Sequence, residues 1–396
     1  MTPSALWRER DFRTLFVAAT LSRLASEMFS VAIVLFVLAR TQSAQLAGVT
    51  VAAATLPTIV TGPLMGAWLD RTRHRRTVFN ANQLVLSAAT FGLLAAVGHL
   101  SDLVVVLLAV VAGLPYPVRT GGFSGLIPTL VPAPLLPQAY GVEAASYNVA
   151  GIAGPALAGT IAGAVSPAWA VAATATMALV ALVWLVRVPI GPVRHDAAAG
   201  RFSHALRDGL RLLTRVPELR SVTFATTVSQ AWVGLIVVAF PLLAETLGHK
   251  RAAGGGLFSL FAVGALIGSV SWSRIAGRVR SEPAVLAGLL VFGAAMAGVG
   301  AAPSLVAALA LVAVAGLIDG PVLAATLNLR QQLSPEHLRT QVFTTAASLK
   351  IGAFAVGSGV AGPVSGAVGS RGMLYLVAAG QVLSLLTGLL VRRSRH

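Results

Sequence analysis

The 396-residue chain has no cysteine, two lysines (Lys250 and Lys350) and 13 acidic residues, and charged residues make up only 11% of it. The missing cysteines exclude disulfides and thiolate metal sites. The seven histidines are scattered, and none forms a metal-binding pair. A soluble surface needs roughly 25–35% charged residues, so this chain is too poor in charge to cover itself in water. No Gly-x-x-x-x-Gly-Lys-Ser/Thr run occurs, which excludes a nucleotide-hydrolysing engine of that kind. No convergent nucleophile, metal set or acid–base set is visible either, so no enzyme and no cofactor is expected. The formal charge of +16 comes without a basic face interleaved with aromatics, and nucleic acid is therefore not expected as a partner.

Apolar sequence is what the chain does have: 56% hydrophobic residues and a mean hydropathy of +0.82. A helix needs about 20 apolar residues to cross the hydrocarbon core. Twelve such runs can be marked, at about 13–39, 45–69, 77–99, 102–126, 139–165, 167–187, 217–244, 254–274, 283–302, 304–328, 341–367 and 372–391. Many are rich in Gly and Ala, which permits close helix packing in lipid. The first run carries Arg23 and Glu27 and is too long for a signal-peptide core, so it is expected to be retained. With the N-terminus placed inside and the spans alternating, 23 arginines fall in inner segments, and Arg40, Lys250, Arg251 and Arg371 in outer ones. Positive charge is retained on the cytoplasmic side; both termini are therefore expected there.

The one long polar stretch, 188–216, separates six spans from six, giving an N-terminal bundle (1–187), a cytoplasmic linker (188–216) and a C-terminal bundle (217–396). Within the linker, Phe202, Leu206, Leu210 and Leu213 form an apolar stripe between basic residues, so an amphipathic helix lying along an anionic membrane surface is expected. A shift of 203 residues aligns 131–163 with 334–366 and pairs Pro132 with Pro335, Gly154 with Gly357 and Gly159 with Gly362; the same shift pairs Arg71 with Arg274 and Arg75 with Arg278. One register serving two separated regions marks parallel six-helix repeats, a design that places a substrate site between the halves and works by rocking.

Residues 66–76, GAWLDRTRHRR, resemble the loop 2–3 signature of the major facilitator superfamily, Gly-x-x-x-Asp-Arg-x-Gly-x-Arg-Arg. They supply Gly66, Asp70, Arg71, Arg75 and Arg76, with Arg73 in place of the glycine. The resemblance extends over essentially the whole chain. Span 5 carries GIAGPALAG (Gly151, Gly154, Pro155, Gly159), similar to the antiporter motif of the family's drug exporters but without its closing pair of glycines. With LIPTLVPAPLLPQAYG and LRQQLSPEHLRTQVF, the chain looks most like the macrolide and siderophore exporter branch, by patterns shared with lysophospholipid transporters. This implies an all-α membrane protein with twelve transmembrane helices in two pseudo-symmetric bundles, in the plasma (inner) membrane of a bacterium. It also implies a conformational latch in which Asp70 leans against span 11 in the outward-open state. An acid near a helix N-terminus gains roughly 0.3–1 kcal/mol from the dipole, enough to bias two near-degenerate states. The GSGVAG run at 357–362 lies inside span 11 with no strand before it and reads as helix packing, not as a nucleotide site.

Ionisable residues inside spans are expensive and usually functional. Arg23 and Glu27 lie one turn apart on span 1 and can pair. Glu27 is near mid-depth, and the 203-residue shift sets Gln230 opposite it, a combination suited to a proton-titrating site. Hairpin arithmetic puts Arg119 level with Glu143, and Asp319 level with Lys350, so each couple is expected to form a buried ion pair; the shift maps Asp319 and Lys350 onto Tyr116 and Tyr147. Asp319, followed by Gly320 and Pro321, is the next proton-site candidate. The expected function is proton-coupled efflux of amphipathic or hydrophobic small molecules such as a drug, antibiotic or siderophore. The alternative is transport of a lysophospholipid or another lipid-like substrate without obligatory proton coupling. The expected partners are the substrate, protons and membrane lipids, and the protein is expected to act as a monomer.

Overall fold

The computed structural model describes residues 6–59, 61, 65, 72, 74–123, 126–190, 211–273 and 279–393, and among these it contains helices and no strand. The first six passes are α1 (Arg10–Thr41), α2 (Ala44–Thr55), α3 (Arg75–Ala96), α4 (Asp102–Gly113), α5 (Leu136–Ala164) and α6 (Pro167–Leu185). The next four are α7 (in two consecutive pieces, Pro217–Val233 and Ile236–Thr246), α8 (Gly254–Ser273), α9 (Ser281–Ala301) and α10 (Leu305–Leu333). A last run, Glu336–Arg393, holds two passes, α11 and α12, parted at Gly369. The φ of 67° there is one that glycine adopts readily and other residues rarely.

Eight helices among the described residues are long and apolar enough to cross a membrane, one of them (Thr345–Arg393) long enough for two passes. Three shorter apolar helices, Ala44–Ile59, Asp102–Gly113 and Val149–Ala164, occupy the positions expected for spans 2, 4 and 5. Leu103, Leu107, Val183, Val291, Val306 and Leu390 stand exposed on the helices, an apolar exterior that suits lipid. Three hairpins opposite the chain termini are closed alike: the side chains of Ser43, Ser166 and Ser304 accept from the backbone N–H three residues on, which satisfies a helix-start donor each time.

Span 4 departs from the expected unbroken run of 102–126. α4 stops at Gly113, and a π-helical turn (Val118–Gly122) and a short helix (Ile127–Leu130) follow. Pro115 and Pro117 remove two backbone donors and clash with the preceding turn, so the regular ladder cannot pass through them.

Among the first six helices, α1 packs on α5 and α6, α3 on α4 and α6, and α2 on α4; among the second six, α7 packs on α11 and α12, α8 on α10, and α9 on α10 and α12. The two sets meet along α2–α11 and α5–α8. Gly159 and Gly255 lie so close at the second seam that a Cβ on either would collide with the facing backbone, and a Cβ at Gly48 would strike the Ser358 carbonyl at the first. Small residues permit such approaches in lipid. A strap joins the same region: Arg251 donates through Nη1 to the Leu38 carbonyl (3.2 Å) and through Nε to Glu245 Oε2 (2.7 Å). These contacts cluster toward the face opposite the termini, so the described halves are closed at that face.

The 203-residue register recurs in the packing. Gly154 of α5 abuts Glu27 of α1, and Gly357 of α11 abuts Ala231 of α7; Gly159 meets α8, and Gly362 meets Gln45 of α2. GSGVAG is thus a packing run, as its lack of a preceding strand implies. Residues 201–210 of the expected amphipathic segment lie outside the described residues. Leu213, the last residue of its stripe, is buried in a cluster with Leu219, Leu286 and Leu329, so this end packs on protein instead of lying on the membrane.

Candidate functional site

Two polar groups sit on neighbouring turns of α1. Arg23 is buried, and its Nη2 meets Glu143 Oε1 of α5 at 2.6 Å while Nη1 donates to Ser146 Oγ at 2.5 Å. The guanidinium also lies over the Tyr147 ring, 3.7 Å from its centre. Removing a charge from water is costly unless it is paired and hydrogen-bonded, and here an opposite charge, a hydroxyl and a π-face meet one cation. The turn before it is held separately, by Gln83 of α3 donating to Ser22 Oγ at 2.5 Å.

Glu27, one turn further, does not join that pair. It lies near the middle of α1, half-buried within the bundle. Its neighbours come from the broken part of span 4: Tyr116 is its hydrogen-bonding neighbour and Arg119 the cation acting on it. Arg119 is itself buried and donates to Asn82 Oδ1 of α3 (3.1 Å) and to the Ala112 carbonyl (3.2 Å). That carbonyl lies in the last turn of α4, where helix carbonyls lack intrahelical partners. The break therefore supplies both an acceptor for Arg119 and the change of direction that brings Tyr116 to Glu27. π-Turns inside helices frequently mark functional sites.

In the second half, Asp319 of α10 and Lys350 of α11 are half-buried and act on each other electrostatically, with Arg330 a further cation near Lys350. Among the described residues they form no ion pair within 4.0 Å, and neither is a sealed, unsatisfied group. Gln230 is half-buried, while its neighbour Ser229 donates to Gln381 Oε1 of α12 at 2.6 Å. No cluster of His, Asp and Glu able to hold a metal exists among the described residues.

A family model, Major Facilitator Superfamily, matches residues 15–350. The chain belongs to the major facilitator superfamily. It is 29% identical over 357 residues to the uncharacterized MFS-type transporter y4rN of Sinorhizobium fredii, covering 89% of this chain and 87% of that protein. It is 25% identical over 376 residues to the multidrug efflux pump Tap of Mycolicibacterium fortuitum, covering 91% and 90%, and 27% identical over 375 residues to Tap of Mycobacterium tuberculosis, covering 92% and 89%. Among solved structures it resembles a bacterial homologue of the human lysosomal transporter Spinster, inward-facing and unoccupied (TM-score 0.77, 16% identity, 98% and 97% covered). It also resembles a bacterial homologue of the iron transporter ferroportin, inward-facing (TM-score 0.68, 18% identity, 97% and 99% covered). This is the major facilitator fold, an all-α membrane protein, and a transport protein, not an enzyme.

Within this major facilitator frame, three pairings expected from the sequence are corrected. Arg23 bonds to Glu143, across helices, and not to Glu27 on its own helix. Arg119 bonds to Asn82 and not to Glu143, because the π-turn alters the direction in which it projects while leaving its depth similar. Asp319 and Lys350 are neighbours without a direct bond. Of the span 5 motif, Gly154 and Gly159 make close approaches, Gly151 has open space beside it, and the helix continues through Pro155. Gly66, Asp70 and Arg71 of the superfamily signature lie outside the described residues. Arg75 is buried, and Arg76 donates to the Val186 carbonyl at the end of α6 (2.8 Å). Asn82, Gln83 and Ser146 were not anticipated as partners; the amides in the otherwise apolar run NANQLVL were the available signal.

Proposed function

We propose that this transporter exports amphipathic or hydrophobic small molecules in exchange for protons, and that Glu27 carries the proton. The observation behind this is the division of labour on α1. Arg23 is neutralised by Glu143, which leaves Glu27 as a half-buried carboxyl at mid-depth, beside a phenol and a second arginine. A carboxyl so placed can take a proton from one side and release it to the other, with Tyr116 offering a relay hydroxyl and Arg119 a nearby cation. The relatedness to Tap pumps supports an efflux direction. With the termini in the cytoplasm of a bacterial plasma membrane, the closed face is the outer one, and alternating access then requires the Gly48–Ser358 and Gly159–Gly255 seams and the Arg251 strap to separate. Asp70, with Arg71, Arg75 and Arg76 around it, would latch the opposite state against α11.

The test is purified protein in proteoliposomes under an imposed pH gradient, with a lipophilic cationic dye and a lysophospholipid as probes. Dye movement that dissipates the gradient, and stops when the gradient is removed, is the expected result. Lysophospholipid movement indifferent to the gradient, with no dye-evoked proton flux, would replace this proposal with lipid transport.

A further inference from the structure

Beside the first turns of α1, the end of α6 leaves an open groove of about 730 Å³ on the termini face, within the roughly 300–1,000 Å³ usual for small-molecule sites. Arg10 and Arg13 of α1 and Arg187 beyond α6 line it, with Trp184 and Val17; Asp11 is its single acid. All three arginines are exposed, and none meets a carboxylate within 4.0 Å among the described residues. Arg187 is held over the Trp184 ring, 5.3 Å from its centre. From the groove an exposed apolar stripe runs back along α6 through Val186, Val183, Val180 and Leu179. Tryptophan and arginine at a span end mark the level of the lipid headgroups. Three guanidinium forks that meet no carboxylate among the described residues suit a phosphodiester, which they can grip through paired N–H bonds.

We propose that this groove binds the headgroup of an anionic phospholipid, with the acyl chains lying along the α6 stripe. The lipid's negative charge completes the unpaired arginines, and its chains cover the apolar face that leads away from them. Asp11 opposes the phosphate and sets an upper limit on the affinity. The site is separate from Glu27 and does not depend on the transported substrate.

The test is lipid binding to the full-length protein in detergent, followed by native mass spectrometry and by lipid-induced thermal stabilisation, comparing phosphatidylglycerol with phosphatidylcholine and with soluble glycerol phosphate. Wild type should prefer phosphatidylglycerol. Arg10→Gln/Arg13→Gln/Arg187→Gln should lose that preference by on the order of a hundredfold, from an electrostatic contribution of about fivefold per arginine near a membrane surface. Asp11→Asn should strengthen binding by about fivefold, a gain that misfolding cannot mimic and that stands as the readout if the triple variant is unstable. Unchanged preference in the triple variant, or weaker binding in Asp11→Asn, would overturn the proposal. Saturation by glycerol phosphate with the affinity of the lipid would overturn it too, making the groove a small-anion site.

Discussion

At equivalent positions the first six helices carry Glu27, Tyr116 and Tyr147 where the second six carry Gln230, Asp319 and Lys350. The frame around them is shared, since Gly154 rests on α1 as Gly357 rests on α7. The charges are held differently. In the first half Arg23 is bonded to Glu143 and Ser146, and Arg119 to Asn82 and Ala112. In the second half Asp319 and Lys350 act on each other through space without a direct bond. A repeat thus conserves how helices pack while leaving each half free to choose which groups titrate, because packing is set by small residues at seams and charge by side chains projecting between them.

The largest effect should come from the buried bond. Arg23→Met removes the cation that Glu143 meets at 2.6 Å, and removing one partner of a buried pair typically costs about 3–5 kcal/mol. Expression and thermal stability in detergent should fall accordingly. Arg23→Met/Glu143→Gln should recover most of the loss, since both charges of the buried pair are then removed together. A double variant as unstable as the single would show that Arg23 acts through its contact with Tyr147 instead.

Next comes the seam. Gly159→Val places a branched side chain against the Gly255 backbone, and such overpacking costs about 1–3 kcal/mol. That cost falls on the closed arrangement described here and is absent once α5 and α8 separate, so the population should move toward the alternative state. Distance measurements between spin labels on the face opposite the termini would read the shift. Gly362→Val tests whether the pseudo-equivalent α2–α11 seam answers in the same direction; opposite responses would break the symmetry of closure.

Glu27→Gln probes the difference between the halves at its functional point, since it gives the first half the residue type that the second already has. One pH unit is worth about 1.4 kcal/mol per proton, a tenfold concentration ratio. The variant should lose that accumulation and only equilibrate substrate, while binding persists. Full accumulation with unchanged pH dependence would move the proton site to Asp319.

The spans were legible because hydropathy needs only composition over about 20 residues, and the repeat because one register joined Gly154 to Gly357 and Arg71 to Arg274. The partners were not. Hairpin arithmetic gives depth and says nothing of rotation about the helix axis, so Arg119 and Glu143 were placed level yet bond elsewhere. Arg23 and Glu143 are 120 positions apart, and nothing local connects them. Pro115-Tyr116-Pro117 did signal the break in span 4, but an apolar count passes over prolines that helices in membranes tolerate. The acid of the signature loop and most of the linker lie outside the described residues; the expected role of the first rests on the resemblance, that of the second on its apolar stripe.

The smallest effect is expected from the pair that hairpin counting made most prominent. Asp319 and Lys350 are level and opposite in sign, which alone would predict a buried bond and a severe single-mutant loss. Their side chains instead are half-buried with no direct contact, and charges that do not meet should couple nearer the ~0.2–1 kcal/mol of loose ion pairs than the several kcal/mol of a bonded one. Asp319→Asn and Lys350→Met should each leave thermal stability close to wild type, and the double variant should equal their sum within about 0.5 kcal/mol. The Arg23–Glu143 cycle, measured alongside, should show coupling several times larger. Equal coupling in both cycles would mean that Asp319 and Lys350 close into a bond in another conformation, and the contrast between a fixed first half and a responsive second half would then belong to one state of the transport cycle only. Strong coupling that appears with Gly159→Val in the background, and is absent without it, would identify that state as the one in which α5 and α8 have separated.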